Sequence, residues 1–60
     1  MEELRKLLEN VSDTYDDFVC GVCCILKNNQ EHLEDVIQYI KNNPDKDSSD
    51  ISDYLETIGI

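Results

Sequence analysis

The chain has 60 residues, a net charge of −9 and three cysteines. A chain of this length forms at most one domain, residues 1–60, with a small core and marginal stability. The acidic balance disfavours nucleic acid and anionic membranes as partners, because both are bound through clustered Lys and Arg. It suits a partner protein with a basic surface.

The N-terminal residues lead directly into an amphipathic pattern, so we expect no signal peptide. The apolar run over residues 18–26 is too short to cross a bilayer as a helix, so we expect no membrane partner. With an odd number of cysteines the thiols cannot all pair within the chain. These features predict a cytoplasmic protein with reduced thiols.

Residues 4–26 carry apolar side chains at alternating spacings of four and three, which is typical of a helix that packs against other helices. These positions are Leu4, Leu8, Val11, Tyr15, Phe18, Val22 and Ile25. Polar residues at 10–13 allow a kink, or a second helix that begins near Asp13 with Asp13 and Asp16 as its capping box. The preserved spacing favours one long helix.

The run over residues 18–26 contains no charge and no polar side chain apart from three thiols. We expect it to be buried as a helix, with Cys20 and Cys24 nearly opposite Phe18. Gly21 weakens a helix by about 1 kcal/mol relative to Ala, and it allows a neighbour to approach closely. A β-strand is the alternative, but no second strand-like run exists to pair with it.

Two further helices follow. Residues 27–29 end the first helix, and Asn28 with Glu31 forms a capping box for the second, which residues 42–44 stop. Ser48 or Ser49 caps the third helix, and Gly59 ends it. The apolar positions of the two helices, each spaced for one face, are Leu33, Val36, Ile37, Ile40, Ile51, Tyr54, Leu55 and Ile58.

These elements predict an all-α fold: a small three-helix bundle with a long first helix, as a monomer or a dimer. Eight apolar side chains on the later helices can cover one face of the first helix. If Cys20 and Cys24 stay uncovered, an apolar patch remains, and such patches mark interfaces. We therefore expect self-association. The interface candidates are Val19, Cys20, Cys23, Cys24, Asp16 and Asp17.

The soft metal ligands are Cys20, Cys23, Cys24 and His32. A Cys-x-x-Cys pair with a following histidine is compatible with zinc, but zinc modules place the pair on a turn rather than within a helix. Thiols that act as small buried hydrophobes account for the same cysteines. We predict no metal, no cofactor and no enzymatic activity, because no cleft or catalytic arrangement is indicated.

Residues 36–44, 48–55 and 58–60 resemble the first two helices and the following turn of winged helix-turn-helix domains. The chain stops where the recognition helix of that family would begin. Its surface charge is also the wrong sign for phosphate. The resemblance therefore implies an accessory regulator or oligomerisation module rather than direct DNA binding.

The sequence as a whole predicts a small acidic protein-binding module without enzymatic activity: an inhibitor, adaptor or regulator of the kind that phages and mobile elements encode. In this interpretation its carboxylates bind a basic protein surface, and binding weakens with salt. The alternative is the oligomerisation or accessory module, whose apolar contacts are largely insensitive to salt. A zinc-binding module is a distant third.

Overall fold

The computed structural model describes residues 2–60. Over this range the chain forms four α-helices and no β-strand, which confirms the all-α class. The strand alternative for residues 18–26 is wrong, because these residues lie within a helix that has two acidic residues in its first turn and a lysine in its last. The elements are α1 (Glu2–Glu9), α2 (Asp16–Lys27), a 3₁₀ helix (Gln30–His32), α3 (Leu33–Asn42) and α4 (Ser48–Thr57).

The prediction of one long helix over residues 4–26 is wrong, and the bundle has four α-helices rather than three. The chain leaves α1 after Glu9 and begins α2 at Asp16. Val11 still reaches the core, where it is 7% exposed, although it lies in the connecting turn. The apolar spacing is thus satisfied without helical continuity, and the weak helix formers at 10–14 end α1.

Apolar side chains from all four helices and the first turn form the core. They are Leu4, Leu8, Val11, Phe18, Val19, Val22, Leu26, Val36, Ile37, Ile40, Ile51 and Leu55. Each fully buried side chain of this kind stabilises the fold by about 1.5–3 kcal/mol. Over residues 2–60 no polar or charged residue is buried, so no unpaired buried charge lowers the stability of the core.

Two asparagine side chains close the C-terminal end of α2. The Asn28 amide donates to the Cys24 carbonyl at 3.3 Å, and the Asn29 amide donates to the Ile25 carbonyl at 2.8 Å. The Ile25 carbonyl also accepts from the Asn28 backbone N–H at 3.2 Å, so these side chains add to the backbone hydrogen bonds of the last turn. The predicted capping box of Asn28 with Glu31 is therefore wrong, because the Asn28 side chain caps the preceding helix.

α4 begins with a capping box, and its N-cap lies one or two residues before the predicted positions. Asp47, not Ser48 or Ser49, is the N-cap: its Oδ1 accepts from the Asp50 N–H at 3.0 Å, and Asp50 Oδ2 accepts from the Asp47 N–H at 3.4 Å. Aspartate and serine are both good caps, so composition alone does not separate the two positions.

The first turn is tied to α4 through Asp13. Its Oδ1 accepts from the Ser48 N–H at 2.8 Å, and its Oδ2 accepts from the Ser48 hydroxyl at 2.9 Å. These donors hold the pKa of the Asp13 carboxyl below its usual value. The predicted capping box of Asp13 with Asp16 is wrong, since Asp13 caps a distant helix and the N-cap of α2 is Tyr15.

Gly59 ends α4, as predicted. It has a φ of +84°, a conformation that residues with a Cβ rarely adopt. The Gly59 N–H donates to the Glu56 carbonyl and the Ile60 N–H to the Leu55 carbonyl, both at 3.1 Å. This is the pattern of a Schellman motif. It returns Ile60 to the edge of the core.

Side-chain pairs connect α3 to its neighbours on both sides. The Tyr39 ring stacks on the Tyr54 ring of α4, with centroids 4.0 Å apart and planes 6° from parallel. Lys41 forms an ion pair with Glu3 of α1. As predicted, α3 ends at Asn42, where the Asn43 side chain donates to the Tyr39 carbonyl at 2.8 Å.

Candidate interaction surface

α2 has an apolar inner face and an apolar outer face, and only the inner face is covered. Its buried residues are Phe18, Val19, Val22 and Leu26. Cys20 and Cys24 are exposed, and Ile25 is 40% exposed. The expectation that the whole run is buried is therefore wrong for the outer face. Residues about half a turn apart in this uncharged run differ in environment, because the other helices cover one side of α2.

A groove of about 340 Å³ runs along one flank of the outer face, between α2 and α4; we name it the α2–α4 groove. Over residues 2–60, Tyr15 (57% exposed) and Ile25 are the large hydrophobic residues that are exposed, and both line this groove. The Tyr15 ring lies 5.8 Å from the Phe18 ring, which forms part of the floor. The complete lining is Tyr15, Asp17, Phe18, Gly21, Val22, Ile25, Ser52, Leu55, Glu56 and Ile60.

Gly21 leaves the middle of the α2–α4 groove open. A Cβ added there would meet no heavy atom within 4 Å. The predicted close neighbour at this glycine does not exist among residues 2–60. The missing side chain therefore exposes the α2 backbone next to Ile25 instead of admitting another helix of the same chain.

A second groove, of about 350 Å³, lies on the opposite flank of the outer face. Its lining is Arg5, Cys20, Cys23, Cys24 and Lys27, and we name it the thiol groove. All three cysteines are free. The prediction of buried thiols is wrong for Cys20 and Cys24, whereas Cys23 is partly buried and packs against the core.

The residues predicted as interface candidates fall in different environments. Val19 is 4% exposed, so its side chain lies in the core and does not reach a partner surface. Asp16 and Asp17 are both exposed, and Asp17 lines the α2–α4 groove. The three cysteines share the thiol groove.

Sequence reasoning missed Tyr15 and Ile25 as surface residues, because the continuous apolar spacing assigned both to a buried seam. A break at 10–15 removes that constraint and turns the buried face of α2 towards Val19 and Leu26. Glu56 and Ile60 were missed as well, since no local pattern indicates that the end of α4 faces α2.

The zinc candidates do not converge on one site. The His32 Nε2 atom lies 3.9 Å from Glu31 Oε1, and His32 does not line the thiol groove. Within the described range, no three side chains of His, Cys, Asp or Glu are placed so that they could hold a metal ion. None of the helices in residues 2–60 has the length and apolar character needed to span a membrane.

Comparison of this chain with models of protein families, with curated proteins and with solved structures finds no match. The resemblance of the last two helices to winged helix-turn-helix domains stays a prediction.

Proposed function

We propose that this protein is a protein-binding module without enzymatic activity, and that its α2–α4 groove receives an apolar segment with basic flanks from another protein. One observation supports this proposal above all others. Tyr15 and Ile25, both large, hydrophobic and exposed, line a groove whose charged lining residues are Asp17 and Glu56.

The apolar floor supplies the affinity in this proposal. Phe18, Val22 and Leu55 are buried beneath the groove and hold its shape before a partner binds. Covering Tyr15 and Ile25 removes apolar surface from water, at roughly 25 cal/mol for each Å². A volume of about 340 Å³ is at the small end for ligand pockets and suits a few side chains of a docked helix.

The carboxylates supply the selectivity. Lys and Arg side chains lay their alkyl stems along apolar surface and place their charge at its edge, where Asp17 and Glu56 lie. A net charge of −9 also attracts a basic partner over a longer distance and makes binding sensitive to salt. An acidic partner would be repelled by Asp17 on one side of the groove and by Glu56 on the other.

Two synthetic amphipathic peptides test the proposal. They share one leucine stripe and differ in their polar face, which is lysine in one and glutamate in the other. We expect only the lysine peptide to shift the NMR amide signals of Tyr15, Gly21 and Ile25, with shifts that shrink as salt is added. Ile25→Ser should weaken binding by about tenfold, corresponding to about 1.4 kcal/mol.

A matched pair of charge variants separates the groove from the overall charge. Glu56→Gln and Glu31→Gln remove the same charge, but Glu31 is an exposed residue of the 3₁₀ helix outside the groove. We expect Glu56→Gln to weaken binding of the lysine peptide more than Glu31→Gln does. Equal losses, or shifts spread evenly over the acidic surface, would refute a groove-specific site.

A second copy of the chain is the other candidate occupant, and it corresponds to the oligomerisation module. The same exposed Tyr15 and Ile25 favour it, while Asp17 and Glu56 of two copies would repel each other. Sedimentation velocity distinguishes the two cases. A dimer that Ile25→Ser abolishes would replace the basic partner with self-association.

A further inference from the structure

We propose that the thiol groove is a site of thiol–disulfide exchange with small anionic disulfides of the glutathione type, and that Cys20 and Cys24 react there. The proposal is independent of the protein-binding function, which uses the other flank of α2. It depends on the accessibility of the thiols and on the charge of their surroundings.

Accessibility separates the three thiols. Cys20 and Cys24 lie one helical turn apart on the outer face of α2, and both are exposed. Cys23 is partly buried against the core. Exchange requires that the attacking sulfur reach the disulfide along the S–S axis, so exposed thiols react before covered ones.

The charge of the groove is opposite to that of the chain. The protein has 14 acidic residues and 5 basic ones, yet the charged lining of the thiol groove is Arg5 and Lys27, with no carboxylate. Neither cation forms an ion pair with any residue in 2–60, whereas Lys41 is paired with Glu3. Both are therefore free to bind the carboxylates of a small ligand.

The exchange step is balanced without a further reactant. The Cys20 or Cys24 thiol loses its proton to solvent, and its sulfur attacks one sulfur of glutathione disulfide. The disulfide's S–S bond breaks as the mixed protein–glutathione S–S bond forms. The other glutathione leaves as a thiolate and takes up a proton. The protein sulfur is oxidised, and the departing sulfur is reduced.

The test uses the reduced 60-residue chain and three variants that each retain a single cysteine, so that no second thiol can displace the adduct. Glutathione disulfide is the anionic probe and cystamine the cationic one. Each rate, followed by mass spectrometry, is divided by the rate of a neutral cysteine peptide with the same probe. We expect Cys20 and Cys24 to favour glutathione disulfide, although the chain is acidic. Cys23 should react at least about tenfold more slowly, because it is covered.

Charge variants test whether Arg5 and Lys27 cause the preference for glutathione disulfide. Arg5→Ala and Lys27→Ala should each slow the reaction with glutathione disulfide by about threefold, the effect of one unit charge a few ångströms away in water. Lys6→Ala is the matched control, because Lys6 follows Arg5 on α1 but does not line the groove. It makes the same change in net charge and should leave the rate nearly unchanged.

Three results would overturn the proposal: a preference for cystamine at Cys20 and Cys24, an equal effect of Arg5→Ala and Lys6→Ala, or a Cys23 that reacts as fast as the other two. Circular dichroism of each variant guards against unfolding. An unfolded chain would also remove the difference between Cys23 and its neighbours, so loss of the fold and loss of the charge effect are distinguishable.

Discussion

The inner and outer faces of α2 have similar polarity and opposite environments. Over residues 18–26 neither face carries a charge, yet Leu26 is fully buried while Cys20 and Cys24 are exposed. Apart from Ile25, the faces differ in side-chain size: the inner side chains are branched or aromatic, and the outer ones include two cysteines and a glycine. Small side chains expose little apolar area, so an uncharged outer face costs little free energy. An apolar run therefore indicates tolerance of burial, and the neighbouring helices decide which part of it is buried.

Truncation on each face gives the sharpest test of this difference. Leu26→Ala should lower the free energy of unfolding by about 2–5 kcal/mol, because it leaves a cavity in the core. Cys24→Ala should change it by less than about 0.5 kcal/mol. Urea unfolding followed by circular dichroism measures both values. Since a domain of this size has a stability of only a few kcal/mol, Leu26→Ala is expected to leave part of the population unfolded in water.

A large loss of unfolding free energy in Cys24→Ala would contradict the difference between the two faces of α2, because it would mean that the outer face is covered in solution. Measuring the loss at several protein concentrations shows whether a second copy provides that cover. A loss that grows with concentration would indicate a dimer, since a dimer is more stable at higher concentration.

Replacing either glycine by alanine should change the stability by a smaller amount, with opposite signs at the two positions. Gly21→Ala should stabilise the chain by up to about 1 kcal/mol, because a Cβ there meets nothing within 4 Å and Ala is the better helix former. Gly59→Ala should destabilise it by about 1–2 kcal/mol, because its φ of +84° is unfavourable for a residue with a Cβ. Thermal unfolding of the two variants checks both signs. A destabilising Gly21→Ala would reveal a neighbour that approaches α2 closely.

The sequence was most informative where the determining interactions are local. The i, i+3, i+4, i+7 patterns correctly predicted α3 and α4, and Asn43 and Gly59 mark their ends. The prediction for the first half of the chain was wrong because the interactions that determine its structure join residues far apart in the sequence. Val11 enters the core from a turn, and Asp13 binds Ser48, 35 positions along the chain. The grooves depend on how α2 lies against α1 and α4, and no local spacing encodes that arrangement.

Substitution of Asp13 should have the smallest effect on stability, and that effect should be local to α4. Asp13 binds the first residue of α4, the helix that forms the second wall of the α2–α4 groove. Asp13→Asn removes the charge and keeps one acceptor. We expect it to speed amide hydrogen exchange at Ile51 and Leu55 of α4 more than at Leu26 of α2. Equal acceleration at all three amides would mean that Asp13 stabilises the whole bundle rather than this wall.

The pH dependence of the Asp13 effect identifies its cause. The Ser48 N–H and hydroxyl lower the pKa of the folded carboxyl below the value of about 3.8 that it has without them. Its stabilising effect is therefore complete above that pH and is lost as the pH falls through the folded pKa. The difference in unfolding free energy between wild type and Asp13→Asn should be constant near neutral pH and narrow below about pH 4. Asp45→Asn is the control, because it removes the same charge from an exposed residue with no such donors among residues 2–60. The difference in unfolding free energy between wild type and Asp45→Asn could narrow with falling pH as much as that for Asp13→Asn. In that case the effect comes from the overall charge of the chain, and the bond to Ser48 does not hold α4 in place.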